Sequence, residues 1–253
     1  MGRSQANLAT EERLERLMHV LATEGSVVIA TAALQLDVSE MTIRRDLIEL
    51  EERGVARRVR GGALALGPQT FAERKQSRSR AKSQIAAKLR PFIPATGTVA
   101  FDASSTVMRA ATALTGGRDL TVLTNGPDTF QALQQRPGIT PILTGGQLDT
   151  RTGSLVGGIA AWSARQLTVS RFLASCTSLD VAVGATEIVL EEADVKRAIT
   201  ANADEVILAV DSSKLERRAT AVWVGWDRID VLVTELEPDD PQLDAYRELA
   251  TLI

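Results

Sequence analysis

Ser39-Glu40-Met41-Thr42-Ile43-Arg44-Arg45-Asp46-Leu47 decides how this chain is read. Ser39 suits an N-cap, because its hydroxyl can accept a backbone N–H that the first helical turn leaves without a partner. Ile43, Leu47 and Leu50 then recur at i, i+4 and i+7, an apolar stripe for a core. Thr42, Arg45, Glu49 and Glu52 fall on the opposite side. A helix with an ordinary buried face, and with Thr and Arg exposed on its N-terminal turns, is suited to reading bases in a DNA groove.

The flanks extend that reading. Thr10 followed by Glu11 and Glu12 predicts a helix start with acids near its positive end. Leu14, Leu17, Met18 and Leu21 supply its apolar stripe, and Gly25 its stop. A second short helix is expected from Thr31 to Leu36, with Asp37-Val38 as the turn into the Ser39 helix. Three short helices with a tight turn before the third make a helix-turn-helix. Gly54 reads as the stop of the third helix. Val55 to Ala63 reads as a small β-wing carrying Arg57, Arg58 and Arg60, with Ser26-Val27-Val28-Ile29 as its partner strand.

Charge has to be read by distribution rather than by sum. The 253 residues carry a formal net charge of −3, and the glutamates of the first sixty residues largely cancel their arginines. Yet Arg53 to Arg60 contains no acid, and from Phe71 to Arg90 the basic residues Arg74, Lys75, Arg78, Arg80, Lys82, Lys88 and Arg90 face only Glu73. Basic strips on an acidic chain suit a protein that binds DNA and must also release it.

Length allows two domains. A winged helix-turn-helix over 1–63 is expected, then a linker over 64–80, where Gly67-Pro68-Gln69-Thr70 breaks the pattern, then an α/β domain over 81–253. No stretch approaches the roughly 20 apolar residues of a membrane span and the N-terminus has no signal-peptide apolar run, so the chain reads as cytoplasmic. Cys176 stands alone and is expected to be a buried small residue; His19, the one histidine, is expected at a helix surface. No metal, cofactor or catalytic residue is predicted.

In the second half, β-rich runs alternate with helical segments. Strands are expected at Thr98–Phe101, Leu120–Leu123, Pro141–Leu143, Arg171–Ala174, Val206–Val210 and Val231–Val233. Helices are expected at Ser105–Leu114, Asp128–Gln134, Ile159–Leu167 and Glu191–Ala203, after a capping helix containing Ile85, Ala86, Leu89 and Phe92. That alternation predicts a mainly parallel sheet with helices on both faces, which binds ligands beyond the carboxyl ends of its strands. Those ends hold Phe101-Asp102-Ala103-Ser104-Ser105-Thr106, Thr124-Asn125-Gly126, Thr144-Gly145-Gly146 and Asp211-Ser212-Ser213-Lys214. Small hydroxyl residues at a helix start form a ready phosphate site, and their recurrence at successive strand ends points to a polar, phosphorylated ligand. The runs Glu187–Leu190 and Trp223–Trp226 fit either a pocket wall or a subunit contact.

Val38-Ser39, Thr42-Ile43-Arg44-Arg45-Asp46-Leu47, Leu50-Glu51, Gly54 and Arg60-Gly61-Gly62 resemble the DNA-binding domain of the DeoR family of bacterial transcriptional regulators. Asp102, Ser105-Thr106, Thr124-Asn125, Gly145-Gly146, Gly157, Phe172, Asp180, Gly184, Glu192, Lys196 and Asp211 to Lys214 resemble its effector-sensing domain. The resemblance implies a fold related to ribose-5-phosphate isomerase and CoA transferases. It also implies a repressor of carbohydrate-metabolism genes controlled by a phosphorylated sugar or related metabolite. Implied DNA contacts are Ser39, Thr42, Arg44, Arg45, Arg57, Arg58 and Arg60. Ser105, Thr106 and Lys214 would hold a phosphate, Asp102 and Asn125 would bond hydroxyls, and Ser104, Thr124 and Gly146 would complete the effector site. The family pattern has glycine where Ser104 and Glu216 stand. The implied partners are double-stranded operator DNA, a small-molecule effector and further copies of the chain, as a dimer or tetramer. An isomerase or CoA transferase on the same fold would need a carboxylate such as Glu192 or Asp102 committed to chemistry near Lys214, and would have no use for the winged module.

Overall fold

The protein is described by a computed structural model covering residues 2–24, 26–52, 55–65 and 71–253. Its chain divides into two compact units, 1–68 and 69–253. The expected stops at Gly25 and Gly54, and the break at Gly67–Thr70, lie outside the described residues.

The first unit runs α1 (Gly2–Glu24), β1 (Ser26–Val28), α2 (Ile29–Gln35), α3 (Glu40–Glu52), β2 (Ala56–Val59) and β3 (Gly62–Ala65). Leu14, Leu17 and Leu21 of α1 meet Ile43, Leu47 and Leu50 of α3 in one buried cluster with Val27, Ile29, Ala56 and Ala63. The strands pair antiparallel in the order β1-β3-β2, so Ser26–Val28 is the third strand of the wing sheet. Two starts differ from expectation. α1 begins at Gly2 rather than Thr10, because residues 3–9 contain neither proline nor glycine and the helix passes through a residue that could have capped it. α2 begins two residues early, at Ile29, whose side chain is buried.

Glycines fix the wing. Gly61 takes φ +87 in the turn between β2 and β3. A Cβ on Gly62 would lie 2.0 Å from the Val27 carbonyl oxygen, so only glycine lets β3 approach β1. Between α1 and α3, Asp46 is buried and takes Arg13 through two contacts, Nε–Oδ2 at 2.5 Å and a terminal nitrogen to Oδ1 at 2.9 Å. This bidentate pair locks α1 to α3 in one relative orientation.

The second unit runs α4 (Phe71–Gln76), α5 (Ser79–Leu89), β4 (Gly97–Phe101), α6 (Ser105–Thr112), β5 (Leu120–Thr124), α7 (Pro127–Leu133) and β6 (Ile139–Leu143). It continues through β7 (Gln147–Asp149), β8 (Ser154–Val156), α8 (Gly158–Ala164), β9 (Val169–Ala174), β10 (Ser178–Asp180), β11 (Gly184–Glu187) and α9 (Leu190–Thr200). β12 (Ala203–Ala209), β13 (Ala221–Val224), β14 (Val231–Val233) and β15 (Thr251–Leu252) complete it. Seven strands form a parallel sheet in the order β15-β14-β12-β9-β4-β5-β6. Alternate strand residues serve opposite faces. Phe172, Ala100 and Leu208 join α8 and α9, whereas Leu173, Val99 and Ile207 join α5 and α6.

Part of this went beyond the expected elements. The hairpin β7-β8 and the antiparallel sheet β10-β11-β13 are built from strands of three or four residues, too short for a periodicity to declare itself. The stretch read as a linker over 64–80 carries the end of β3, the whole of α4 and the first two residues of α5. No helix among the described residues is long and apolar enough to cross a membrane.

Candidate functional site

Two sites are built separately, one on each unit. On the first, the Ser39 hydroxyl accepts the Thr42 amide at 3.1 Å and lies 2.9 Å from the Thr42 hydroxyl, so the reading helix is capped as its sequence predicts. Arg44 is exposed and pairs with Glu40 at 3.3 Å, an i,i+4 contact weak enough for DNA to replace. Arg45 is exposed, and among the described residues it makes no ion pair. Arg57 and Arg60 stand exposed on the wing. Arg58 is used differently: its Nε meets Glu51 Oε2 at 2.6 Å and its amide meets Oε1 at 2.9 Å. These contacts hold the Glu51 carboxyl below its ordinary value and tie the wing to α3. Thr42, Arg44 and Arg45 on α3 and Arg57 and Arg60 on the wing therefore belong to one unit whose internal geometry is fixed by Arg13–Asp46 and Arg58–Glu51.

On the second unit the strand ends converge as expected, but the roles divide. Asp102 is fully buried and occupied: Oδ1 accepts the Ser104 amide at 3.0 Å, and Oδ2 accepts the Ser175 amide at 2.8 Å and faces Lys196 Nζ at 3.0 Å. It joins the ends of β4 and β9. Ser104 caps α6, its hydroxyl accepting the Val107 amide at 3.1 Å, and its φ of −72 makes no demand for glycine. Ser105 and Thr106 are buried in the first turn of α6, where amides have no intrahelical acceptor. The Thr124 hydroxyl accepts the Gly126 amide at 3.0 Å. Gly146 has φ +110, and a Cβ there would lie 2.7 Å from the Val156 carbonyl oxygen.

Asn125 is fully buried; its Nδ2 donates to the Leu155 carbonyl at 3.3 Å, while its Oδ1 has no donor. A buried acceptor without a donor is costly, so this oxygen is fitted to receive a hydrogen-bond donor.

Cations surround the loop. Lys214 Nζ donates to the Ser175 hydroxyl at 3.0 Å and to the Cys176 carbonyl at 2.5 Å. Lys82 is buried beneath α4, and burial, with Lys214 next, pushes its ammonium down to about 8, Asp211 offsetting only part. Burial opposes the charge on Asp211, yet Lys214, the Ser213 hydroxyl and Arg78, whose Nε lies 3.5 Å away, hold it below its ordinary value. The Nε of Arg74 is buried without an acceptor. Glu216, where glycine is usual, takes a left-handed φ of +54, which explains that preference; its side chain is exposed and its amide donates to the Tyr246 hydroxyl at 2.9 Å.

Beside this lies a buried acidic group that sequence reasoning left out of the site. Lys196 Nζ meets Glu187 Oε1 at 2.5 Å and donates to the Ser175 carbonyl at 2.7 Å. Burial works against its charge, but Glu187, Asp102 and Glu192 outweigh burial and raise it above the usual lysine value. Burial, then Glu187, pushes the Glu192 carboxyl up to about 7. Burial likewise raises the Cys176 thiol to about 12, and the residue is a buried small one, as expected. Lys82, Arg74 and Ser175 were missed as neighbours of the site, while Glu187 was read only within a run fitting a pocket wall or a subunit contact and Lys196 only through the family resemblance. Lys82 and Arg74 left a trace in sequence as members of the basic strip from Phe71 to Arg90.

Residues 77–236 match the DeoR C terminal sensor domain, and residues 13–69 match the DeoR-like helix-turn-helix domain. The HTH-type transcriptional regulator GolR of Listeria innocua is 30% identical over 228 residues, 88% of this chain and 90% of that protein. The lactose phosphotransferase system repressor of Lactococcus lactis is 27% identical over 250 residues, 96% and 98% of the two chains. The glycerol-3-phosphate regulon repressor of Escherichia coli is 28% identical over 230 residues, 90% and 91%. Ribose 5-phosphate isomerase A from Neisseria gonorrhoeae overlaps more loosely, with a TM-score of 0.37 at 13% identity over 53% of this chain and 52% of that one, too little to argue from.

Proposed function

Because the chain belongs to the DeoR family of transcriptional regulators, we propose that it is an operator-binding repressor of carbohydrate-metabolism genes, released by a small phosphorylated metabolite. Its DNA contacts are Ser39, Thr42, Arg44, Arg45, Arg57, Arg58 and Arg60, with α3 in a major groove and the wing on the backbone or minor groove. Arg58 acts chiefly through Glu51, by orienting the wing. Relatives named as repressors of a lactose phosphotransferase system and of a glycerol-3-phosphate regulon support a carbohydrate target.

The observation that carries the sensing half is the Asn125 acceptor left without a donor on a loop ringed by buried or half-buried cations. Such a site fits a ligand with an anion at one end and hydroxyls at the other. Ser105, Thr106 and Lys214 hold the phosphoryl group, Asn125 receives a hydroxyl, and Ser104, Asp102, Thr124 and Gly146 keep the loops in place around it. The chain acts as a homo-oligomer in the cytoplasm, two reading heads spanning repeated or palindromic half-sites. The domain limits we adopt are 1–63 for reading, 64–80 for the connection and 81–253 for sensing.

The test is fluorescence anisotropy of the full chain on DNA from upstream of its own gene, at fixed salt, across a panel of sugar phosphates. Release by one compound is the expected result. Specific binding that no compound alters would remove the phosphosugar reading.

A further inference from the structure

The six-residue helix α4 has no fully buried side chain, only the half-buried Phe71 and Arg74, yet it packs on α6 at the loop proposed to hold the effector. Most of its ties are polar. The Phe71 amide donates to the Arg151 carbonyl at 2.9 Å, and the Arg74 guanidinium donates to the Thr152 carbonyl. Phe71 covers Gly153, where a Cβ would come within 2.8 Å of the ring-bearing carbon. The carbonyl of Arg74 sits in the last turn of α4, where a helix has no amide to offer it. Two donors meet that oxygen: the buried Lys82 Nζ, and the Ser105 hydroxyl at 3.3 Å.

We propose that Lys82 is an anion-binding residue of the effector site, and that the Arg74 carbonyl holds the place of a phosphoryl oxygen until the effector arrives. The proposal rests on the effector reading of this site. Lys82, Lys214 and Arg74 crowd positive charge around the first turn of α6 and leave a donor, Arg74 Nε, without an acceptor. A neutral carbonyl supplies one acceptor to this cluster, whereas a phosphoryl group supplies three oxygens and a countercharge, and charge-assisted bonds are about twice as strong as neutral ones. The exchange therefore runs toward the ligand. Its consequence falls on α4, because a cation donating to the last carbonyls of a helix is its C-terminal cap. Taking Lys82 and Ser105 away uncaps a helix that has no fully buried side chain to hold it. Only residues 66–70 separate α4 from β3 of the wing, so the segment set free leads directly into the DNA-reading unit.

Hydrogen–deuterium exchange of the full chain, with and without inorganic phosphate or glycerol 3-phosphate at constant ionic strength, tests this. Amides of residues 104–107 should slow, while those of 71–78 speed up by roughly fivefold, the scale of losing one helix-capping contact. Slowing at 104–107 with 71–78 unchanged or slower would overturn the competition and leave the effector site standing. No response in either segment to these probes or to a sugar-phosphate panel would overturn both. Lys82→Met should show fast exchange at 71–78 without any ligand and lose the phosphate response, whereas Lys82→Arg should keep it. Should K82M fail to fold, the wild-type and K82R measurements carry the decision, and an unresponsive K82R with native far-ultraviolet dichroism would count against the proposal.

Discussion

Arg45 and Lys214 stand for the two functions at the scale of single residues, one exposed on α3 and one directed at the Ser175 hydroxyl and the Cys176 carbonyl. Arg45→Ala should abolish operator binding in an anisotropy titration while leaving effector binding, read by calorimetry, intact. Lys214→Ala should do the reverse; equal effector affinity would remove Lys214 from the site. Glu192 sets a pH dependence. Burial and Glu187 raise its carboxyl to about 7 against opposition from Lys196 and Arg74, with Asp102 adding to the rise. The folded state then holds a proton that the unfolded chain gives up near its ordinary value, so stability falls as pH climbs toward 7 and stays reduced above it. Thermal melts between about pH 5 and 7.5 should show that decline, and Glu192→Gln should flatten it. The lowered carboxyls, Asp211 among them, change charge below this window, and Lys82 above it.

Elements depend on a few contacts that no substitute satisfies. Gly62→Ala would drive a methyl group onto the Val27 carbonyl, 2.0 Å from where its Cβ must lie. β1 and β3 would part, and the first unit should lose about 1–3 kcal/mol in chemical denaturation, with operator affinity falling alongside. Asp46→Ala removes the carboxylate through which α3 holds Arg13 of α1. The loss should approach about 3 kcal/mol, the lower end for breaking a buried pair because Arg13 is partly exposed. A loss below about 1 kcal/mol would mean that the pair orients α1 and α3 without stabilising them. α4 is the opposite case, an element with no fully buried side chain, held by polar contacts and by Phe71 over Gly153, and it is therefore the one suited to exchange its partners.

For the whole molecule, charge and coupling are the measurable quantities. If Arg57 and Arg60 meet phosphates, replacing both with alanine should flatten the slope of log affinity against log salt by about 0.9 per lost contact. An unchanged slope would place the wing off the DNA. Effector release of DNA implies a coupling on the order of 1–3 kcal/mol, and linkage requires operator DNA to weaken effector binding by the same factor. Sequence alone determined the winged reading head and the order of the main strands and helices of the parallel sheet, because apolar spacing at 3.6 and 2 residues and a capping serine act locally. Ser39 caps α3 as read, and β4, β5, β9 and β14 lie where β-rich runs placed them. It also located Asp102, Asn125 and Lys214, since strand ends in a parallel sheet gather on one edge. Only the tertiary structure decided what those residues do. Asp102 turns out to be occupied by Ser104, Ser175 and Lys196, and Asn125 is the one left with an acceptor to offer. Glu187 comes from β11 and Glu192 and Lys196 from α9, and their charges interact strongly only because folding removes the water that would screen them.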